Sequence, residues 1–385
     1  MNVSTDIRVT ISVHARYLAF HLAKGLQDHG LLDAIYTIYP KFKLSSYHLR
    51  SNVIKSFPLF GALRYIEHGF GIQRFDDIFA DAFSFSVARA LKKPDSKHWI
   101  FHALSGYAER PMLKAQRMGA IGVIERGCPH IDVQRKLIAE EQSRLLGVKI
   151  APHYKYVYDR MKREYDAADY IAVPSRYSQR SFIEEGIDPK KVLVVPICRE
   201  KNVMFPRTPK KLDHFTVLCT GGNFYRKGLF YLLEAWRKLN LEDAELIFKG
   251  DVPKEFEYLL QSKNITRITR HLSDEEMADL YTKAHVFTLP SIDEGFGMVV
   301  AEAMAAGLPV IVSENVGAAD GIENGKEGFV VPIRSSDALA EKIKFFYDHP
   351  DWIQRMGDAV LEKSVLYAPE VFTERMIAAY RAMVV

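Results

Sequence analysis

The chain has 385 residues, 48% hydrophobic and 26% charged, a globular composition long enough for roughly two to three domains with cores of their own. Its 52 Lys and Arg against 48 Asp and Glu leave a net charge of +4, too small for a nucleic-acid binder unless the charge is clustered. Three cysteines, Cys128, Cys198 and Cys219, show no Cys-x-x-Cys spacing, which argues against a disulfide framework or structural zinc and fits a reducing cytosol. The longest weakly charged run, Gly297 to Val312, is short for a bilayer span and carries Glu302 in its middle, which excludes a transmembrane helix.

The amino terminus alternates Ile7, Val9, Ile11 and Val13, the pattern of a strand and not of a signal peptide, so the expected compartment is the cytoplasm. Short β-branched runs then alternate with helical patterns, which predicts parallel sheets covered by helices and an α/β class. Strands are expected near Ile7–Val13, Ala34–Tyr39, Trp99–Ala103, Ile121–Ile124, Tyr170–Val173 and Val192–Pro196. Helices are expected near Tyr17–Gln27, Asp76–Lys92, Asp132–Leu146, Tyr154–Ala168 and Gln179–Glu185. Between Pro196 and His214 the alternation stops, and Pro196, Pro206 and Pro209 are mixed with Lys and Arg in the manner of a linker.

Alternation resumes with strands near Phe215–Thr220, Glu245–Lys249, Thr266–Arg270, Val286–Leu289, Val310–Ser313 and Phe329–Val331, interleaved with helices near Leu229–Leu239, Glu255–Ser262, Asp274–Ala284 and Met298–Ala306. Ser273-x-x-Glu276 is a capping box, and Gly307 sits where the next helix should stop. Residues 337 to 385 read as helical, broken at Pro350 and Pro369. The expectation is two doubly wound domains, 1–200 and 201–368, with the last helix, about 369–385, packing back on the first.

In open parallel sheets ligands bind beyond the carboxyl ends of the strands, so the strand-to-helix turns are the places to search. The turn Thr220-Gly221-Gly222-Asn223-Phe224-Tyr225-Arg226-Lys227-Gly228 combines amides freed by glycine with a fork and a point charge suited to phosphate. Pro290-Ser291-Ile292-Asp293-Glu294-Gly295-Phe296-Gly297 opens the helix that begins at Met298, and its glycines free amides at a helix amino end, which attract anions. Glu294 and Glu302 border that same site. An ionised carboxylate beside a phosphate has neutral hydroxyls as its natural partners. Amides for a diphosphate, flanked by two carboxylates for two polyols, describe a nucleoside-diphosphate sugar.

The stretch Glu294-Gly-Phe-Gly-Met-Val-Val-Ala-Glu302-Ala-Met-Ala-Ala-Gly307-Leu-Pro309-Val closely resembles the Glu-x7-Glu signature of the retaining glycosyltransferases of family 4. That family has the GT-B fold, two Rossmann-like domains facing each other across a cleft. Gly221 to Gly228 resembles its phosphate loop, and Gly325-x-x-Gly328-Phe-Val its next landmark. The resemblance implies that Glu294 holds donor-sugar hydroxyls and Glu302 the ribose. It also implies that Lys227 and Arg226 neutralise the diphosphate, with Gly221, Gly222, Asn223, Gly295 and the amides of Phe296, Gly297 and Met298 completing the donor cradle. Two departures stand out: Gly222 where the family often has Arg, and Ser12-Val13-His14-Ala15-Arg16 where it usually has a Gly-rich loop.

In the first domain Glu125-Arg126-Gly127-Cys128-Pro129-His130 follows a predicted strand, and His130 resembles the family histidine close to the donor sugar. Glu164 and Ser175 read as structural. Residues 36–71 are basic and aromatic, with Lys41, Lys43, Arg50, Lys55 and Arg64 against Glu67 alone, a surface able to dock on anionic headgroups at the inner face of a membrane.

No Asp-x-Asp, His-Glu-x-x-His or Gly-x-Ser-x-Gly occurs. These absences point to an enzyme that needs no metal or cofactor, and the resemblance implies sugar transfer with retention, expected from a UDP-sugar, or secondly a GDP-sugar, to a glycan or lipid-linked acceptor. The rivals are a GT-B binding partner without activity and a glycoside hydrolase, which shares paired carboxylates but has no use for an anion cradle.

Overall fold

The computed structural model describes residues 6–14, 18–61, 76–199, 214–262 and 264–384. Ala15 and Arg16, the basic aromatic stretch beyond residue 61, and residues 200–213 of the expected linker lie outside these.

Two parallel sheets form the framework. The first comprises β1 (Ile7–Val13), β2 (Leu32–Thr37), β3 (Ile54–Ser56), β4 (His98–Leu104), β5 (Ile121–Glu125), β6 (Tyr170–Val173) and β7 (Val192–Val194), in the order β3-β2-β1-β4-β5-β6-β7. The second comprises β8 (Phe215–Thr220), β9 (Ala244–Lys249), β10 (Ile265–Ile268), β11 (Val286–Leu289), β12 (Val310–Ser313) and β13 (Gly328–Val331), in the order β10-β9-β8-β11-β12-β13. Every ladder is parallel, and helices cover both faces, so strands such as β8, β11 and β12 are buried along their whole length and mostly apolar.

Strand order reverses between β1 and β4 in one sheet and between β8 and β11 in the other, which opens a crevice at each reversal. The sequence expectations hold for the long elements. The structure adds β3 and the helix Glu109–Arg117, and it turns the expected helix near Glu255–Ser262 into 3-10 turns over Lys254–Gln261. The capping box at Ser273 is formed, and Gly307 ends the preceding helix at φ +74.

The final helix, Pro369–Met383, returns to the first sheet. Arg375 donates to the Pro196 carbonyl at 3.4 Å, and the Tyr380 hydroxyl meets His102 Nδ1 at 2.9 Å. The helix Ala19–Asp28 lies so close beneath it that any Cβ on Gly25 would collide with Thr373. All three cysteines are free thiols, and no helix among the described residues is long and apolar enough to cross a membrane.

Candidate active site

At the β8/β11 reversal the two turns singled out above are laced together. A Cβ on Gly228, which has φ +64, would overlap the Pro290 carbonyl, and Ile292 N–H donates to the Arg226 carbonyl at 2.8 Å. Gly221 is equally constrained, since a Cβ there would lie 2.7 Å from Lys227 Cγ. Asn223 closes the first turn by accepting from Arg226 N–H at 2.9 Å, whereas the position of Gly222 is open. The lacing fixes Lys227, only 7% exposed, with its ammonium donating to the Glu294 carboxylate. Arg226 Nη1 donates to the same oxygen at 3.1 Å and to the Asp293 carbonyl at 3.3 Å. Burial works against the Arg226 charge, but Glu294, Cys128 and Asp293 together outweigh it and raise its pKa above the usual value.

Gly297, at φ +89, starts the helix Met298–Ala305, whose first amides have no partner within the helix. Phe296 is buried, with its ring 5.4 Å from that of Tyr367. One turn into the helix, Glu302 accepts from the Tyr281 hydroxyl at 2.9 Å. Burial and that carboxylate push the Tyr281 pKa well above its ordinary value, so the phenol stays a donor. Gly221, Lys227, Tyr281 and Glu302 line one cavity of about 340 Å³, with Lys249 at the end of β9 and Arg199 from the connection between the sheets. His271 and Leu272 line it too, whereas the Arg270 fork is engaged by Glu276.

The loop before the helix is also the seam between the domains. Asp293, fully buried, accepts from Gln134 Nε2 at 2.7 Å and from the Tyr177 hydroxyl at 2.9 Å. Burial raises its pKa, and those two donors and Arg226 oppose the rise. Ser175 Oγ donates to the Gly295 carbonyl at 2.7 Å, and a Cβ on Gly295 would overlap the Gly127 carbonyl. Glu141, also fully buried, accepts from the Tyr231 hydroxyl and from Arg334 Nε, each at 2.6 Å. Ser175 is thus structural, as its sequence setting indicates. Asp293 and Glu141 escape sequence reasoning because nothing local separates them from solvated acids.

His130 stands in the turn that follows β5. It is the N-cap of the helix Ile131–Leu146: Nδ1 accepts from Asp132 N–H at 3.3 Å, and its own N–H donates to Ser181 Oγ at 2.8 Å. The ring is 5% exposed, packs against Tyr165 and Phe182, and has its pKa pushed down to about 4 by burial. It lines neither the donor-side cavity nor the one in the first domain. Among the described residues His130, Asp132 and Glu185 form the grouping spaced for a metal ion, but the amide of Asp132 already occupies Nδ1.

The cavity in the first domain, about 480 Å³, is lined by His14, Ser105, Glu125, Arg126, Cys128 and Lys155 among others. Glu125 is held from behind by His102 Nε2 at 2.9 Å. Arg126 makes no ion pair among the described residues; its Nη2 donates to Gln134 at 3.1 Å. Glu164 lies deeper and accepts the amides of Gly106, Ala108 and Glu109 at 2.5, 2.7 and 3.1 Å, a structural cap for the helix Glu109–Arg117. Burial pushes its pKa up to about 7, against the pull of those donors.

Known proteins share this architecture. The "MMP alpha-(1->4)-mannosyltransferase" of Mycolicibacterium hassiacum is 27% identical over 217 residues, 54% of this chain and 51% of that protein, so the chain spans about half the length of this curated relative. A glycosyltransferase from Rickettsia africae has a similar structure with a TM-score of 0.68 at 16% identity, covering 99% of each chain. HepE of Anabaena, solved in complex with UDP and glucose, gives a TM-score of 0.67 at 14% identity, covering 98% of this chain and 100% of that one. Residues 200–362 match the family described as glycosyl transferases group 1. The chain therefore has the GT-B fold, and the part of it that matches glycosyl transferases group 1 is residues 200–362.

Proposed function

We propose that the protein is a retaining, metal-independent glycosyltransferase that moves a sugar from a nucleoside-diphosphate sugar to a glycan or lipid-linked acceptor. UDP-sugar is the first expectation and GDP-sugar the second. The observation that carries this reading is the convergence of Gly221, Lys227 and Glu302 on one cavity beside Glu294, within the segment matched to glycosyl transferases group 1. The complex of HepE with UDP and glucose, on the same fold, supports a nucleotide-sugar donor.

In this reading Glu294 occupies Lys227 and Arg226 until a diphosphate takes them over. The exchange releases the carboxylate to accept sugar hydroxyls, while the Phe296, Gly297 and Met298 amides meet phosphate oxygens and Glu302 the ribose. As the glycosidic bond breaks, the electron pair leaves with the nucleoside diphosphate, and the cations and amides stabilise that charge. The acceptor hydroxyl attacks on the same face and gives its proton to the departing phosphate. The first-domain cavity, with Ser105, Glu125 and Lys155, is the acceptor side. Phe42, after β2, and Leu59, after β3, are 73% and 68% exposed, and Lys41, Lys43 and Lys55 are exposed too, which supports peripheral contact with an anionic bilayer carrying a lipid-linked acceptor.

Calorimetric titration of UDP, GDP, ADP and NAD in EDTA tests the reading. Binding of one nucleoside diphosphate and not of NAD is expected, and it selects the donors for transfer assays. Absence of binding by all four would overturn it.

A further inference from the structure

The cations that the sequence offers for phosphate, Lys227 and Arg226, are both paired with the single carboxylate of Glu294. Two other cations on the same cavity are not. Lys249, at the carboxyl end of β9, has no ion pair and no side-chain hydrogen bond among the described residues. Arg199 follows the buried pair Ile197 and Cys198 in the connection leaving the first sheet, and its N–H is fixed by the Tyr367 carbonyl at 3.0 Å. Its side chain likewise has no hydrogen bond or ion pair among the described residues, and its Nε is a buried donor without an acceptor.

A guanidinium held partly out of water with an unused donor is costly unless a ligand completes it. Its planar fork matches phosphate oxygens better than any other side chain. The acids on the cavity do not meet this demand: Glu302 is engaged by Tyr281, and Asp274 begins the helix Asp274–Lys283.

We infer that Arg199 is a donor-binding residue, which with Lys249 holds the diphosphate of the nucleotide from the side opposite Glu294. The inference rests on the proposed function and assigns it a residue that lies in the connection between the sheets, outside both recognisable turns. The donor is then gripped by the second domain and by the segment that joins it to the first.

Calorimetry on the full chain tests it, with the nucleoside diphosphate that wild type binds, its parent nucleoside, and inorganic pyrophosphate as probes. Arg199→Ala is expected to weaken the nucleoside diphosphate at least tenfold and pyrophosphate similarly, while the nucleoside stays within twofold. Arg199→Lys should recover part of the loss, and Lys249→Ala should lose several fold. Melting curves establish that each variant is folded. Unchanged diphosphate affinity in folded Arg199→Ala, or an equal loss for the nucleoside, overturns the inference while leaving the proposed function in place. Pyrophosphate binding that depends on Arg199, without nucleotide binding by wild type, keeps the anion site and discards the nucleotide reading. A wild-type protein indifferent to every probe overturns both.

Discussion

The two sheets share one strand order through their first six strands, yet their crevices are built by different means. In the second domain the crevice is shaped by backbone: glycines at 221, 228, 295 and 297 admit contacts that any side chain would block or strain. In the first it is shaped by side chains that reach across long stretches of sequence, such as Glu164 capping the helix Glu109–Arg117 and His102 supporting Glu125. A backbone-shaped site tolerates little change and leaves a contiguous signature. A side-chain-shaped one is free to vary and leaves its parts scattered.

The sharpest way to break this contrast is to substitute matched glycines. Gly228→Ala meets both a left-handed backbone and the Pro290 carbonyl, and should cost about 3 kcal/mol or more in chemical denaturation. Gly147→Ala, at φ +69 with nothing within 4 Å, should cost only about 1 kcal/mol. Equal costs would remove the claim that the lacing matters.

Glu294→Ala comes next. It should lower transfer at least about a hundredfold while nucleoside-diphosphate affinity stays within a few fold, because Lys227 and Arg226 are freed. Undiminished turnover in a radiolabelled-donor assay would remove Glu294 from the sugar site.

His130 sharpens the other side of the comparison. Its pKa falls from the ordinary 6.5 to about 4 on folding, so the native state favours the neutral ring. That contribution is fully present above about pH 6.5 and is lost as pH falls through about 4, a loss on the order of 3 kcal/mol. Melting temperature against pH should therefore drop less steeply between pH 6.5 and 4 in His130→Gln than in wild type. Transfer by that variant at neutral pH should stay near normal once the protein is folded.

Lys227→Ala should give the smallest effect, weakening nucleoside diphosphate about tenfold, equivalent to about 1.4 kcal/mol, and free nucleoside hardly at all. Equal weakening of both would contradict a phosphate contact.

How much of this could be read from the sequence follows the same division. Long strands such as β1 and β8 are legible because β-branched and apolar residues recur along them, in strict alternation in β1 and in a nearly continuous run in β8. The helix Glu109–Arg117 is not, because the group that caps it is Glu164, far along the chain, and Ala108 at its start gives no signal. In the site, Lys227, Glu294 and Glu302 are legible by their spacing around glycines. Arg199 is hidden in a stretch whose composition says only linker, and Asp293 looks like any loop acid until Gln134 and Tyr177 are seen to reach it. His130 is ambiguous in the sequence for a related reason: an N-cap and a catalytic histidine both follow a strand, and its burial is not visible there.

The return of the helix Pro369–Met383 to the first sheet bears on how the protein is made. Tyr380 supplies the far end of the chain of contacts through His102 to Glu125, and the groove over Gly25 is filled only by Thr373. The first domain is thus completed only after the whole second domain has been synthesised. During that interval it exposes the apolar floor that Phe372, Met376 and Ile377 later cover, a window for chaperone capture or aggregation that closes only when the helix Pro369–Met383 has been made.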